Sequence, residues 1–541
     1  MSDDFKYDYL FIGTGNSALT AASLLANAGK KVCMLEAHEY PGGYAHTFPW
    51  GDFQFCAQVH YIWGCNPPPP GHTQGGQIYE FLKKIGLERE LTFELFDPDG
   101  YDRMAMPDGK IVGIPYGFNQ LVDNIEEAYP GSRDSVRRFL NIIERIRYEM
   151  VRVPDHQIRW WEYMAKGWRF LTLLKYKKKT LQEVFDECAV SKEAQAVLCA
   201  QAADFMLPPE KLSVFAFTGL FCGYGNGAFY PTKHYKHYFE RIANFITEHR
   251  GCHIFYKSMV TGIEADGDHI TKVHTKDGKT FTAREIVCNM DPQKAAEMIG
   301  LEKFPDTWRK KLDYDYSGSS LMVYLGLKDF DFEKYGLSNG NVWHMEQWDM
   351  NKIWKEQGAG DFSKPFFFIS MPTHHSTEPG VAPPGHQIME VGTYTEYKEW
   401  KELHDTDYKA YEAKKNALGE QLLDLVEKHY VPDLRKHIVV KVVGSPTTNE
   451  EWVWAPKGTA YGEPCTPHQI GPRRLPQETP FKNFYFCNAT AGYAGIYGTT
   501  SNGIRLYAKL TGDRFYDITK GPTDKEFIED TRKLASTSAR G

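Results

Sequence analysis

The clearest chemical spacing in the chain lies near its N-terminus. Gly13-Thr14-Gly15-Asn16-Ser17-Ala18 is a G-x-G-x-x-A, and Glu36 follows 21 positions after Gly15. Gly13 lets a chain turn sharply, and Gly15 lets a pyrophosphate approach bare backbone. Ala18 lets a helix pack closely on a sheet. An acid at the spacing of Glu36 grips ribose hydroxyls and repels a 2′-phosphate, which argues against NADP. These residue types in this order point to dinucleotide binding, with NAD and FAD both open.

Such a turn works only if local elements hold it. Residues 7–12 form a short apolar run with aromatic and β-branched residues, which predicts a buried strand. Residues 17–28 are rich in small side chains and predict a helix whose free N–H groups face the phosphates. Gly29 stops it, and residues 31–35 predict a second strand that ends at Glu36. Strand, glycine turn, helix, strand and acid in one unit say more than the glycines alone.

The residues after Glu36 separate the two cofactors. "EAHEYPGGYAHTF" places Gly42 and Gly43 just beyond the acid. This resembles the FAD-binding head of the amine oxidase and phytoene desaturase superfamily, where a double glycine carries the chain towards the flavin. Two later segments resemble the same family's returns to FAD. One runs from residue 225 to 300, with a strand predicted from "HIFYKSMVTGIEA" and turns at two Asp-Gly pairs. The other is "TPFKNFYFCNATAGYAGIYGTTSNGIRLYAKL", with a strand, a glycine-rich turn and a helix from about Ser501. Cys487 and Asn488 stand there where the family has Gly and Asp. The resemblance implies FAD as cofactor, held by Gly13, Gly15, Asn16, Ser17, Ala18, Glu36, Ala37, Gly42, Gly43, Tyr44, Ala45, Val260, Asn488, Gly495, Gly498, Thr499 and Asn502. Val260 matches the position whose backbone meets the adenine. The helix start near residues 499–503 would face the pyrimidine end of the flavin. Tyr493 and Tyr497 would line the flavin.

"FQFCAQVHYIWG" resembles a segment of retinol saturases and carotenoid isomerases, with His60 and Tyr61 kept. The family's usual Y-P-x-G-G is here Tyr230-Pro231-Thr232-Lys233-His234-Tyr235-Lys236-His237. Bulky and basic residues replace its glycines. Either Lys233–His237 is a solvated helix start, or one of its members reaches the flavin or an acidic substrate head group. His60, Tyr61, Tyr230 and His234 are the candidates for acid–base or head-group roles. For each, the plain alternative is a buried ring with a satisfied polar tip.

The resemblance implies an α/β fold. A Rossmann-like FAD-binding domain of amine-oxidase type comprises residues 1–75, 225–300 and 441–520. An interleaved α+β substrate domain of mixed sheet and helices comprises 76–224 and 301–440, and a tail of 521–541 frays at its end. The expected activity is that of an FAD-dependent oxidoreductase or isomerase. It would act on carbon–carbon double bonds of a long apolar lipid (a carotenoid, retinoid or unsaturated fatty acid), by hydride transfer at flavin N5 with proton transfer. A flavin amine oxidase acting on a C–N bond and a non-catalytic flavin or lipid carrier are the alternatives.

Bulk properties agree with this. The 541 residues suffice for two domains. Sixty-three basic against 70 acidic residues leave no basic footprint for nucleic acid. The ten scattered cysteines contain no C-x-x-C pair, so no metal site is expected, and they read as reduced thiols of a cytoplasmic protein. The N-terminus is acidic where a signal peptide is basic, and no apolar run is long enough to span a bilayer. Residues 158–180 alternate Trp and Leu with Arg and Lys. They form either a helix on a membrane face or a packed helix with a solvated basic end. Nothing in the sequence bears on oligomeric state.

Overall fold

The first apolar run becomes strand β1 (Tyr9–Ile12), and helix α1 (Asn16–Asn27) leaves it through the glycine turn. The computed structural model describes residues 6–153, 167–471 and 474–538. After α1 come β2 (Val32–Leu35), β3 (His253–Phe255), β4 (Glu285–Cys288), β5 (Phe484–Phe486) and helix α2 (Gly495–Thr511). The five strands form one parallel sheet in the order β5-β4-β1-β2-β3. β1 and β2 are buried along their whole length, as strands covered on both faces must be, which is why they read as unbroken apolar runs.

α1 is enclosed on every side from Asn16 to Ala26. Its small residues admit two neighbours, α2 and the helix His234–Glu248. The crossing with α2 is tight: a Cβ on Gly503 would lie 2.6 Å from Ser17 O and from Thr20 Cβ. Gly29 (φ +76) and Gly512 (φ +79) follow the two helices in the left-handed conformation that ends them.

The strand expected as one run from His253 is two. β3 joins the parallel sheet, and Val260–Asp266 opens a separate three-stranded antiparallel sheet with His269–Thr275 and Thr280–Phe281. The break has a cause in the backbone. Lys257 takes φ +54, and residues 257 and 258 donate to His38 O and Glu36 O instead of continuing the ladder.

Another sheet has seven strands and is mixed. Its order is Ile438–Gly444, Ser319–Lys328, His386–Thr395, Phe366–Ser370, Asn341–Met345, Asp102–Ala105 and Ile111–Ile114. All pairs are antiparallel except Asn341–Met345 with Asp102–Ala105.

The tail is ordered to residue 538 rather than frayed. Helix Asp524–Ser538 docks by Arg147 on Asp524 at 3.1 Å, Thr531 Oγ1 on Asn226 O at 2.8 Å and Arg532 Nε on Tyr116 O at 2.9 Å. Within the amphipathic stretch, residues 158–166, Trp160 and Trp161 among them, lie outside the described residues. The rest is a single turn, Gly167–Phe170, and the short helix Leu171–Tyr176, with Trp168 and Leu171 exposed. All ten cysteines are buried and unpaired. Among the described residues no helix is long and apolar enough to cross a membrane.

Candidate active site

Two glycine-rich loops meet at the end of β1. Gly42 N donates to Thr14 O at 3.0 Å, and a Cβ on Gly43 would lie 3.3 Å from Gly15 Cα. Both loops need left-handed backbone, at Gly13 (φ +96), Gly42 (φ +114) and Gly43 (φ +60), where side chains are strained. Beside them the buried Glu36 carboxylate accepts from Thr14 N, Thr14 Oγ1 and His38 N. His46 closes the second loop with Nδ1 donating to Gly43 O at 2.7 Å. Burial holds its pKa down at about 4, so the ring is neutral.

Asn16 and Ser17 lock this turn to the C-terminal segment. Asn16 Nδ2 reaches Ile496 O, Thr499 Oγ1 and Thr500 Oγ1 at 2.9–3.0 Å. Ser17 Oγ donates to Cys487 O at 2.7 Å. Asn488 does not point outward. Its Nδ2 donates to Met290 O and its Oδ1 accepts from Ala491 N, both at 2.9 Å. Asn502 braces the same loop through Asn488 O, Tyr493 O and Tyr493 N. α2 begins at Gly495, six residues before the expected start. Its dipole end is therefore displaced from residues 499–503 to Gly495.

All of these surround one cavity of about 2400 Å³. Every expected cofactor residue borders it except Ala18, which is fully buried under the turn. Val260 and Met259 line it next to the segment that bonds Glu36 O and His38 O, and Gly495 and Tyr497 line it as well. Tyr497 is stacked on Trp63 with centroids 5.0 Å apart, while Tyr493 is half-exposed. Tyr44 borders the void, but its hydroxyl is engaged with Thr459 O at 2.5 Å.

The four acid–base candidates divide. His60 and Tyr61 face the cavity; Tyr230 and His234 do not. Tyr230 lies in the core against Tyr235 and His375, and its hydroxyl has no partner among the described residues. His234 is fully buried with φ +66 at the start of its helix, and burial lowers its pKa to about 3. Both are corrected to packing positions. Lys233 and Lys236 pair with Glu378 and Glu240, and none of residues 233–237 borders the cavity.

Three groups escaped the sequence reading. Asn289, just past β4, accepts from Gly15 N at 2.9 Å and donates to Ser17 Oγ and Cys487 O. Its signal was its place at the carboxyl end of a parallel strand. Glu390, the lone acid in an apolar strand, is fully buried and 3.1 Å from His60 Nδ1, and burial raises its pKa. Asp204 and Asp102 both contact the Tyr61 hydroxyl, at 3.1 and 3.2 Å. One cluster with metal-ligand atoms exists among the described residues. His344, Glu346 and His429 sit away from the cavity and bond one another.

The flavin-containing amine oxidoreductase family matches residues 19–506. The chain belongs to this family. Among relatives, prolycopene isomerase 1 (chloroplastic) of an Oncidium hybrid cultivar is 23% identical over 94% of this chain and 84% of its own length. All-trans-retinol 13,14-reductase of Danio rerio is 24% identical over 92% and 84%. The solved structure of cyclohexylamine oxidase from Brevibacterium oxydans aligns with a TM-score of 0.60 at 15% identity, covering 98% of this chain and 99% of that one. Like other flavin-containing amine oxidoreductases, this protein is an enzyme of oxidoreductase or isomerase type, and its cofactor is FAD. The site fits it on its own terms. Asn16 Oδ1 and His38 Nδ1 are buried at the cavity wall without a protein partner, and nothing stands where a side chain on Gly495 would project. In this family member Glu36 would hold the ribose, and the α1 turn the pyrophosphate.

Proposed function

We propose that the enzyme acts on carbon–carbon double bonds of a long apolar polyene lipid. The observation that carries this reading is the extension of the cavity beyond the dinucleotide loops. There Trp343, Trp354, Phe366, Phe368, Phe215 and Leu220 line it. Ordinary ligand pockets hold roughly 300–1,000 Å³, and this void has room for a cofactor and a long second occupant. An apolar chain gains about 25 cal/mol for each Å² it buries against such walls, and flat conjugated segments suit the ring faces. The two relatives named for a carotenoid and a retinoid support the substrate class.

Bound FAD supplies exchange of a hydride equivalent with carbon. The chain's own residues exclude water with aromatic walls and orient the lipid along them. They also hold protons at two places on the wall, the His60–Glu390 pair and the Tyr61 hydroxyl.

The test is anaerobic mixing of the holoenzyme with polyenes, unsaturated fatty acids and amines. Absorbance of the oxidised flavin is followed, and products are analysed from both oxidised and reduced enzyme. Conversion of a polyene by either form is the expected outcome. Reduction by amines with no polyene converted overturns the reading in favour of C–N chemistry.

A further inference from the structure

Asp204 lies in the turn Ala200–Phe205 and borders the cavity beside Tyr61, Tyr224 and Tyr461. Its Oδ2 is 3.1 Å from the Tyr61 hydroxyl, and the same hydroxyl is 3.2 Å from Asp102 Oδ2. Asp102 Oδ2 also accepts from Gln201 Nε2 at 2.8 Å. The Tyr61 ring is fixed by stacking on Tyr224, with centroids 3.9 Å apart.

A phenol has one hydrogen to give. Were both aspartates ionised, one of the two contacts would set lone pairs against lone pairs. Both are hydrogen bonds only when one carboxyl is protonated and donates to the Tyr61 oxygen. Asp102 Oδ2 already accepts from Gln201, whereas the Tyr61 hydroxyl is the one hydrogen-bond partner of Asp204 among the described residues, which favours Asp102 as the acceptor and Asp204 as the seat of the proton. The surroundings agree. Burial and then the neighbouring Asp102 push Asp204 well above the usual carboxylate range, and Asp102 and Asp204 form no ion pair among the described residues. The titratable groups facing Asp204 are Tyr61, Asp102, Tyr224 and Tyr461. A protonated carboxyl on an apolar cavity wall is placed to serve carbon, since an ionised one would be driven to seek water or a cation.

We propose that Asp204 is the catalytic acid and base of this enzyme, giving a proton to an alkene carbon of the substrate and taking one back, with Tyr61 and Asp102 as positioning residues. This rests on the polyene reading above. In the saturating direction the Asp204 O–H bond breaks, and the alkene π pair forms the new C–H bond. The neighbouring carbon, left two electrons short, takes a hydride equivalent whose donor is a reduced flavin. Asp204 remains as a carboxylate, towards which the Tyr61 hydrogen turns. Desaturation reverses these steps. Isomerisation returns the same proton to Asp204 after rotation about the bond, with no net redox change.

The test compares the wild-type holoenzyme with Asp204→Asn, which keeps the shape and a donor for Tyr61. Flavin content and its absorption spectrum report folding. Turnover of a polyene in D₂O reports the rate in every direction and, in the saturating direction with reduced enzyme, deuterium at carbon. Expected are an unchanged flavin spectrum, a roughly 100- to 10,000-fold lower rate and loss of label from the product. Asp102→Asn removes a neighbouring negative charge, so the limb of the pH profile assigned to Asp204 moves to lower pH; a purely structural role would leave it in place. Infrared difference spectra of the wild type provide a check that needs no variant: a protonated-carboxyl C=O band persists at neutral pH. Full rate and label in Asp204→Asn, or absence of that band, overturns the proposal alone. A wild-type enzyme that converts no polyene overturns the functional reading and this proposal together.

Discussion

Asn488 shows how one departure from a family pattern can have a local cause. The family's Asp at this place has only acceptors when ionised. Here the side chain must give a hydrogen to Met290 O as well as accept one from Ala491 N. A carboxylate would face the Met290 carbonyl lone pairs inside a buried loop. Asn488→Asp is therefore expected to lower stability by about 1–3 kcal/mol, read from denaturant unfolding of the apoprotein. A variant as stable as the wild type would remove this account. The glycine turn and Glu36 were legible in the sequence because they lie within one strand–helix–strand unit, Glu36 meeting Thr14 from 22 residues away. Asn289, Glu390 and Asp204 were not, because each acquires its role from residues far along the chain. The Tyr61 hydroxyl that joins Asp102 to Asp204 is 143 residues from the latter. The same distance effect misplaced Tyr230 and His234: their residue types suit catalysis, but their strand and helix turn them into the core.

Among the elements, α1 and α2 matter most, because their crossing fixes the dinucleotide turn relative to the C-terminal loop. Gly503 allows that crossing. A side chain there would meet Ser17 O, a backbone atom that cannot rotate away. Gly503→Val is expected to push the helices apart, cost about 1–3 kcal/mol or more, and weaken FAD binding through the Asn16 bonds to Thr499 and Thr500. Melting temperature and flavin titration measure the two effects, and a variant unchanged in both would show the crossing to be plastic. Elements with long apolar runs were read correctly in kind, including β1 and β2. The errors lie at ends and breaks. β3 and Val260–Asp266 read as one strand because β-branched and aromatic residues recur through both, and the bonds that separate them go to residues 36 and 38. The start of α2 was placed late because its first turn, Gly495-Ile-Tyr-Gly, has poor helix propensity; Asn16 holds it from outside.

At the scale of the whole molecule, the last helix ties the C-terminal segment back onto the elements around Arg147, Asn226 and Tyr116. Asp524 pairs with Arg147, a cavity-lining residue, while Thr531 and Arg532 bond the backbone at Asn226 and Tyr116. Removing residues 521–541 should lower the melting temperature by about 5 °C or more and speed proteolysis near Arg147. Unchanged melting and cleavage would make the helix dispensable.

The bond from Ser17 to Cys487 spans 470 residues. During synthesis, at roughly 5–20 residues per second, the glycine turn would wait about 25–95 s on the ribosome side before β5 and α2 exist to complete it. The N-terminal half of the flavin pocket is thus an early product and its closing wall a late one. Cofactor loading is accordingly a terminal event in the birth of this enzyme, and a nascent chain halted anywhere before β5 would carry the fingerprint without the grip.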